Sequence, residues 1–177
     1  MLIIHDVQQG TPEWHALRVD LVTASNALVL LTRGKKAATG THNSSGGSGF
    51  WARRGQILEH EAIEVYESVE ECKVDRPGFI TNDEIPGAGW SPDGSRLDVR
   101  RGIEVKCFKE ENHLECLTYV PNYVYAQCQF GIMVGDLDYM DLLFYNPDIE
   151  DENKCYKKYV LLPDVKLINR FKEKLEI

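Results

Sequence analysis

The sequence predicts an α/β fold in which a mixed central sheet is flanked by helices. Three observations support this prediction. The stretch from Phe50 to about Glu70 carries apolar residues at spacings of three and four, which is typical of a long amphipathic helix. Residues 103–106 alternate apolar and charged side chains, as a strand does. A second helical pattern over residues 121–134 is followed by strand-like runs, so it would cross over between strands of one sheet.

The N-terminal part of the chain predicts one strand and two helices. Residues 2–4 are apolar and predict a short strand. Thr11 is a typical N-cap, and the proline and acid that follow it predict a helix over about residues 12–20. Thr23 is predicted to cap a second, more buried helix that continues to about residue 32.

Two polar residues in this region form a candidate anion site. Ser25 would lie in the first turn of the second helix, where a hydroxyl and free backbone N–H groups favour an anion. Arg18 lies nearby in sequence and could join Ser25 in binding a phosphate. The alternative is an ordinary capping serine beside a solvated arginine.

A segment rich in serine and glycine follows the second helix. Residues 35–49 are small and polar, and the part from about 37 to 49 is predicted to be a flexible loop. Its composition is also that of an engineered spacer. On the long helix beyond it, Glu59 shares a face with Ile63 and Tyr66, so it could project toward the sheet or remain solvated at the border of the buried stripe.

The stretch from Gly89 to Lys106 brings ionisable residues together in a predicted strand pair. Pro92-Asp93-Gly94 is a turn signature between two strand-like runs, so a hairpin would place Asp93 beside Glu104. In the strand over residues 103–106, the period of two turns Glu104 and Lys106 to the same face.

This arrangement has the composition of a metal site. Asp93 and Glu104, with the Val105 carbonyl between the outward side chains, supply the oxygen ligands that Mg²⁺ or Mn²⁺ prefers. Lys106 could orient or deprotonate a water, or stabilise charge on a phosphate oxygen, as metal-assisted phosphodiester hydrolysis requires. The same residues would also suit an ordinary hairpin surface, and this motif alone does not distinguish the two.

The C-terminal half completes the predicted sheet. Residues 112–120 are expected to be a connector, followed by the helix over residues 121–134. Gln127 in that helix needs a polar partner, either within the core or on DNA. Further elements are predicted in this order: a strand over residues 137–145, a strand over residues 156–162, and a last helix capped by Asp164.

Composition narrows the class of protein. The length of 177 residues fits one domain, residues 1–177, and no apolar run approaches the length of a membrane span. The first residues do not form a signal peptide, so a cytoplasmic location is expected. The net charge of −8 is unusual for a protein that binds nucleic acid, although basic residues cluster. The cysteines lack metal-site spacing, and reduced thiols are expected at Cys72, Cys107, Cys116, Cys128 and Cys155.

Five short motifs in one order resemble a known family. They are Trp14…Arg18…Thr23-Ala-Ser25, then Arg54-Gly-Gln-Ile-Leu-Glu59, Ser91-Pro-Asp-Gly94, Ile103-Glu-Val-Lys106 and Ala126-Gln-Cys-Gln129. Together they resemble the phage lambda exonuclease and YqaJ-type viral recombinase family of the PD-(D/E)XK nuclease superfamily. The resemblance extends from about Gly10 to Val160, and five ordered motifs are far more specific than any one of them.

The resemblance implies a restriction-endonuclease-like fold and a metal-dependent exonuclease. Such an enzyme degrades one strand of duplex DNA from the 5' end and leaves 3' single-stranded overhangs for phage-type recombination. It would use Mg²⁺, with Mn²⁺ as a substitute, and would act on double-stranded DNA ends. Relatives are ring-shaped homotrimers, and a single-strand annealing protein is an expected partner. The expected place of action is the cytoplasm of a bacterium or phage-infected host.

The resemblance also assigns roles to residues. Asp93, Glu104 and the Val105 carbonyl match the metal ligands, Lys106 matches the catalytic lysine, and Glu59 matches a helix-borne acid that helps to hold a second metal or the attacking water. A further group matches positions at the 5'-phosphate or the DNA backbone, and comprises Arg18, Ser25, Arg33, Ser91 and Gln127. The serine- and glycine-rich segment stands where relatives have a longer one.

Two other functions fit parts of the sequence. One is a different nuclease of the superfamily, Cas4-like or RecB-like, with an iron–sulfur cluster. That protein would need one early cysteine and three late ones, whereas only Cys155 lies late in this chain. The other is a non-catalytic module that binds DNA ends. The presence of Asp93, Glu104 and Lys106 together favours an enzyme.

Overall fold

Within residues 1–40 and 49–177, which the computed structural model describes, the chain forms two four-stranded sheets and seven α-helices. The strands are β1 (Leu2–His5), β2 (Val22–Thr23), β3 (Phe79–Asn82), β4 (Ala88–Trp90), β5 (Gly94–Arg96), β6 (Arg101–Lys106), β7 (Tyr139–Tyr145) and β8 (Tyr156–Leu161). The helices are α1 (Pro12–Arg18), α2 (Ala27–Arg33), α3 (Lys35–Ala38), α4 (Gly49–Val69), α5 (Glu110–Glu115), α6 (Asn122–Gly135) and α7 (Val165–Leu175).

The central sheet has the strand order β5-β6-β7-β8. Its two middle strands, β6 and β7, are parallel, and both outer pairs are antiparallel, so the sheet is mixed. Helix α4 packs on one face, where its side chains meet Ile103, Val105 and Leu143. Helix α6 covers the other face, against Leu142 and Phe144. The alternation of side chains along β6 therefore directs Glu104 toward α6.

The N-terminal sheet has the order β1-β3-β4-β2 and packs against the same helix α6. Trp90 at the end of β4 is fully buried, and its ring lies against two glycines of α6. A β-carbon on Gly131 would lie 3.0 Å from Trp90 Nε1, and one on Gly135 would lie 2.9 Å from Trp90 Cζ3. The two glycines thus allow β4 to approach α6 closely.

Most of the predicted elements are confirmed. The Thr11 side chain accepts the Trp14 N–H at the start of α1, and the Asp164 side chain accepts the Leu167 N–H at the start of α7. The long helix, the crossover helix and the strands that follow it lie within a residue or two of the predicted bounds, and β1 is one residue longer than predicted.

The predicted second helix is present as α2, but the prediction that Thr23 caps it is wrong. Residues 24–26 form a 3-10 turn, the α-helix begins only at Ala27, and the Thr23 side chain makes no cap hydrogen bond. The Thr23 hydroxyl is engaged elsewhere, since it accepts from Arg18 Nη2 at 3.4 Å and lies 3.1 Å from Ser25 Oγ, while the Asn26 side chain donates to the Ala38 carbonyl at 3.1 Å. Ser25 therefore lies in the 3-10 turn, two residues before the first residue of α2, and not in the first turn of the α-helix.

Three further predictions differ from the structure, and one of them lies partly outside the described residues. The loop predicted over about residues 37–49 overlaps the end of α3, whose Ala38 is buried in the core; residues 41–48 of that loop lie outside the described residues. The connector over residues 112–120 contains part of α5, in which the buried His113 donates from Nε2 to the Lys154 carbonyl at 2.6 Å. Finally, Pro92-Asp93-Gly94 is not a hairpin turn, because β4 and β5 belong to different sheets.

Among the described residues, no helix is both long and apolar enough to cross a membrane.

Candidate active site

Glu104, Lys106 and Gln127 form a triangle of hydrogen bonds between β6 and α6. Lys106 Nζ donates to Glu104 Oε1 at 2.7 Å and to Gln127 Oε1 at 3.1 Å. Gln127 Nε2 donates to Glu104 Oε1 at 2.6 Å. The sequence prediction that Glu104 and Lys106 share a face is confirmed. Glu104 and Lys106 are therefore the polar partners that Gln127 needs.

Asp93 contacts the same strand, β6, through the backbone of Val105. Strand β5 begins at Gly94, which pairs with Ile103, so the N–H of Val105 lies beyond the end of the strand pair. Asp93 Oδ2 accepts that N–H at 2.7 Å. The true hairpin is β5–β6, with its tip at Leu97–Arg100, and Asp93 lies at the open end of this hairpin beside Glu104. The predicted proximity of the two carboxylates is therefore correct, although the turn was misplaced.

The site holds more negative charge than its own cations balance. Removal from water raises the pKa of Asp93 well above its usual range, and the nearby Glu104 and Glu59 raise it further. Burial likewise raises the pKa of Glu59, although Arg76 opposes the shift. Glu104 is 2% exposed, and its Oε2 atom is buried without a hydrogen-bond partner. Crowded carboxylates with an unused oxygen are the donor set that a divalent cation would satisfy.

The carboxylates alone do not form a complete set of ligands for a metal ion. In the described part of the chain, no three His, Cys, Asp or Glu side chains stand close enough to bind one ion. Glu59 is half-buried on α4 and interacts electrostatically with Asp93 and Glu104 rather than touching them. Mg²⁺ commonly uses one or two carboxylates and keeps waters or substrate oxygens as its remaining ligands, so Asp93, Glu104 and the Val105 carbonyl fit it.

The charge of Lys106 is set by its neighbours. Burial alone would lower the pKa of this ammonium group, but the carboxylates of Glu104 and Asp93 outweigh burial and hold the pKa above its usual value. Lys106 is therefore a cation in this arrangement. A charged lysine beside the carboxylates can stabilise negative charge on a phosphate oxygen or donate a hydrogen bond to a water.

Three of the five residues expected at the 5'-phosphate or the DNA backbone, Arg18, Ser25 and Ser91, are linked to one another through Trp14 and Thr23. Trp14 Nε1 donates to Ser91 Oγ at 3.0 Å, and the Arg18 guanidinium carbon lies 3.7 Å from the centre of a Trp14 ring. Arg18 Nη2 donates to Thr23 Oγ1 at 3.4 Å, and Thr23 Oγ1 lies 3.1 Å from Ser25 Oγ. The structure thus brings Arg18, Ser25 and Ser91 into one polar chain that ends two residues before Asp93.

Three features of Arg18 suit it to bind an anionic ligand. Burial lowers the pKa of its guanidinium group, and its Nε atom is buried without a hydrogen-bond partner. Among the described residues, no carboxylate lies within ion-pair distance of Arg18. A partly buried, unneutralised arginine is costly unless a ligand supplies the missing charge.

Arg33 is not joined to this site. It is exposed in the last turn of α2, and within the described residues it forms no hydrogen bond or ion pair with the carboxylates. Gln129, which belongs to the last of the five motifs, has a structural part instead. Its side chain bonds the backbone of Leu162 and Asp164, and so fastens the start of α7 to α6.

Sequence reasoning missed residues that line a cleft beside Asp93. The cleft has a volume of about 290 Å³, and Gln9, Gln56, Glu59 and Arg76 are among its walls. Gln9 Nε2 donates to the Pro92 carbonyl at 2.8 Å. Arg76 escaped notice because it lies in an irregular segment without periodicity, and a lone basic residue there gives no signal before the chain is folded.

Comparison with known proteins assigns the family. Residues 13–138, well over half of the chain, match the profile of the YqaJ-like viral recombinase domain. The chain therefore belongs to the YqaJ-like viral recombinase domain family. The matched range includes Arg18, Glu59, Asp93, Glu104 and Gln127. No match was found among curated proteins.

Solved structures share the fold. The alkaline exonuclease LHK-Exo from Laribacter hongkongensis superposes with a TM-score of 0.76 at 24% identity, over 94% of this chain and 89% of that one. The same exonuclease in complex with dAMP gives a TM-score of 0.77 at 23% identity, over 93% and 89%. A phage-related exonuclease from Haemophilus somnus 129PT gives 0.62 at 15% identity, over 92% and 93%. The fold is thus the restriction-endonuclease-like α/β fold that the sequence predicted.

Proposed function

We propose that this protein is a metal-dependent exonuclease that hydrolyses phosphodiester bonds at the ends of double-stranded DNA. It would digest 5' to 3' and leave 3' overhangs for phage-type recombination. The observation that carries the proposal is the group formed by Asp93, Glu104, Lys106 and Gln127, with the unpartnered Oε2 of Glu104 at its centre. Family membership and the exonucleases that share the fold support it.

Each residue has a defined part in this proposal. Asp93, Glu104 and the Val105 carbonyl would hold Mg²⁺, or Mn²⁺ in its place, and Glu59 would help to hold a second ion or the attacking water. The metal would polarise the phosphate and lower the pKa of a bound water. Lys106, kept charged by its neighbours, would stabilise the charge that develops on the phosphate oxygen, and Gln127 would keep both Glu104 and Lys106 in place.

Recognition of the DNA end would fall to the polar chain beside the carboxylates. Arg18, Ser25 and Ser91 would take the 5'-phosphate, since Arg18 offers an unneutralised cation and Ser25 an exposed hydroxyl. Arg33 would contact DNA outside this pocket. A homotrimer, a single-strand annealing partner and action in the cytoplasm follow from the family resemblance. Sedimentation equilibrium would test the trimer, whose mass would be three times the 20.2 kDa of one chain.

One assay tests the proposed activity and its direction. The protein is incubated with Mg²⁺ and linear duplex DNA labelled separately at the 5' and 3' ends, with circular duplex as the control. We expect release of 5'-labelled mononucleotides, an intact circle, and no release in excess chelator. Cleavage of the circle would argue for an endonuclease, and binding of ends without cleavage would argue for a non-catalytic module.

A further inference from the structure

The segment that joins α4 to β3 is held rigidly against the active site. We call residues 73–78 the strap. The Val74 N–H donates to Glu67 Oε1 at 2.8 Å, and Asp75 exchanges two backbone hydrogen bonds, of 2.9 and 2.8 Å, with Ser95 on β5. The strap ends at Gly78, whose carbonyl accepts from Trp14 Nε1 at 3.1 Å. It is therefore anchored at its start, middle and end.

Close packing adds to this anchoring. A β-carbon on Gly78 would lie 1.6 Å from the Val7 carbonyl oxygen, so the strap touches the N-terminal segment without a gap. A β-carbon on Gly94, next to Asp93, would lie 2.5 Å from Val74 Cγ1. The backbone on either side of Arg76 has little freedom to move, so the point from which its side chain extends toward the cleft is fixed.

The Arg76 side chain enters the cleft beside Asp93, where it is 37% exposed. One guanidinium nitrogen lies 2.8 Å from His60 Nδ1, and another lies 3.8 Å from Glu59 Oε1. Because a guanidinium only donates, His60 Nδ1 is the acceptor of the first contact. The second contact is too long for a hydrogen bond, so Arg76 keeps donors that no protein group fully uses.

We propose that Arg76 binds a phosphodiester of the DNA strand that lies next to the scissile bond. This inference rests on the proposed nuclease function and extends its binding site into the cleft. The carboxylates of Glu59 and Asp93 form one wall of the cleft and would repel a phosphate, so a fixed cation is needed there. The planar fork of a guanidinium matches two phosphate oxygens, and the amides of Gln8 and Gln56 are neutral neighbours that a sugar–phosphate chain tolerates.

A different role would explain the same position. Arg76 could serve only to hold Glu59 in its place, in which case it would affect metal binding but would not touch DNA. The two roles differ in their salt dependence. A phosphate contact releases counterions, so its loss reduces the slope of binding affinity against salt concentration, whereas a contact within the protein does not.

The test compares three variants in Ca²⁺, which is expected to permit binding without cleavage. Arg76→Gln removes the charge, Arg76→Lys keeps it, and Lys73→Gln removes a charge from the same strap at a side chain that is 92% exposed. Affinity for a 5'-phosphorylated duplex is measured by fluorescence anisotropy over a range of salt concentrations. We expect Arg76→Gln to weaken binding about tenfold and to lower the salt slope by about one. Arg76→Lys should keep the slope, and Lys73→Gln should match the parent protein.

The remaining outcomes would overturn the inference. An unchanged slope in Arg76→Gln would exclude a phosphate contact, and an unchanged slope with a raised Mg²⁺ requirement would assign Arg76 to Glu59. A parent protein that binds duplex but never cuts it would refute the proposed nuclease while leaving the slope comparison valid. Absence of any duplex binding would refute both. If Arg76→Gln does not fold, Arg76→Met, which also removes the charge, takes its place in the comparison with the same expected and contradicting results.

Discussion

At the scale of single residues, Lys106 is the group whose removal best separates chemistry from binding. We expect Lys106→Ala to cut at least roughly 100-fold more slowly, because a positioned charge-stabilising group contributes on that scale. Binding of DNA ends should remain, since Arg18 and Ser91 are untouched. Asp93→Asn should lose cleavage too, by weakening the hold on the metal. Single-turnover cleavage and anisotropy measure the two effects, with the exposed Lys166→Ala as the control. Normal cutting by either site variant would refute the catalytic assignment.

Arg18 allows a second test at this scale. If its guanidinium holds a 5'-phosphate, dephosphorylated ends should be digested more slowly than phosphorylated ends by the parent protein. Arg18→Ala should be slow on both, with a ratio of the two rates near one. The exposed Arg33, outside the polar chain, provides the matched control as Arg33→Ala and should keep the ratio of the parent. Equal ratios in the parent and Arg18→Ala would return Arg18 to a structural role on Trp14.

Glu67 supplies a pH-dependent contribution to stability. Its pKa lies below the usual value, first because its carboxylate accepts the Val74 N–H and then because of Lys73. A carboxyl with a lowered folded-state pKa stabilises the fold above its ordinary pKa of about 4.3, and this contribution is lost as the pH falls through the lowered value. Glu67→Gln should therefore lower Tm at pH 7, and the difference should shrink in acid. Glu64→Gln on the same helix is the control. A difference independent of pH would mean that the charge of Glu67 does not matter.

At the scale of elements, the approach of β4 to α6 depends on Gly135. A methyl group there would meet the fully buried Trp90 ring and Leu137, both at 2.9 Å. We expect Gly135→Ala to lower the free energy of unfolding by roughly 1–3 kcal/mol. Gly55→Ala on α4 is the matched control, because nothing lies within 4 Å of its β-carbon; better helix propensity should stabilise it by up to about 1 kcal/mol. Urea unfolding measures both, and a stabilised Gly135→Ala would show that Trp90 is not tightly held.

Elements with strong periodicity were predictable from the sequence, and those fixed by distant contacts were not. Helices α4 and α6 and strand β6 carry their own hydrophobic patterns, so Glu104 and Lys106 were placed correctly on one face. Helix α5 has a short, mostly charged sequence without apolar periodicity, and its buried His113 bonds the distant Lys154 carbonyl, which no local pattern indicates. The turn at Pro92-Asp93-Gly94 was recognised, but turn chemistry does not indicate whether the strands on either side share a sheet. Arg76 was missed for a similar reason, because the bridge between Asp75 and Ser95 sets its position.

At the scale of the whole molecule, the net charge of −8 opposes binding of nucleic acid in general, but it does not describe the proposed site. There Arg76 lies in one cleft with the carboxylates of Glu59 and Asp93, which would hold metal. Ions bound there would reduce the local negative charge before the DNA arrives. The composition alone could not show this, since it averages over surfaces that face different partners.

The chain passes from the N-terminal sheet to the central sheet at residues 91–93. Activity should therefore depend on the contact between the two sheets. Ser91 directly follows β4 of the N-terminal sheet, whereas Asp93 directly precedes β5 and, like Glu104, is held by the central sheet. Sliding of the N-terminal sheet over α6 would therefore strain residues 91–92 and draw Ser91, with the proposed 5'-phosphate site, away from the two carboxylates, while each sheet stays intact. On heating, we therefore expect cleavage to fail several degrees before the far-ultraviolet circular dichroism signal melts, and Gly135→Ala should widen that interval. Coincident loss of activity and helical signal would mean that the two sheets separate only when the entire protein unfolds.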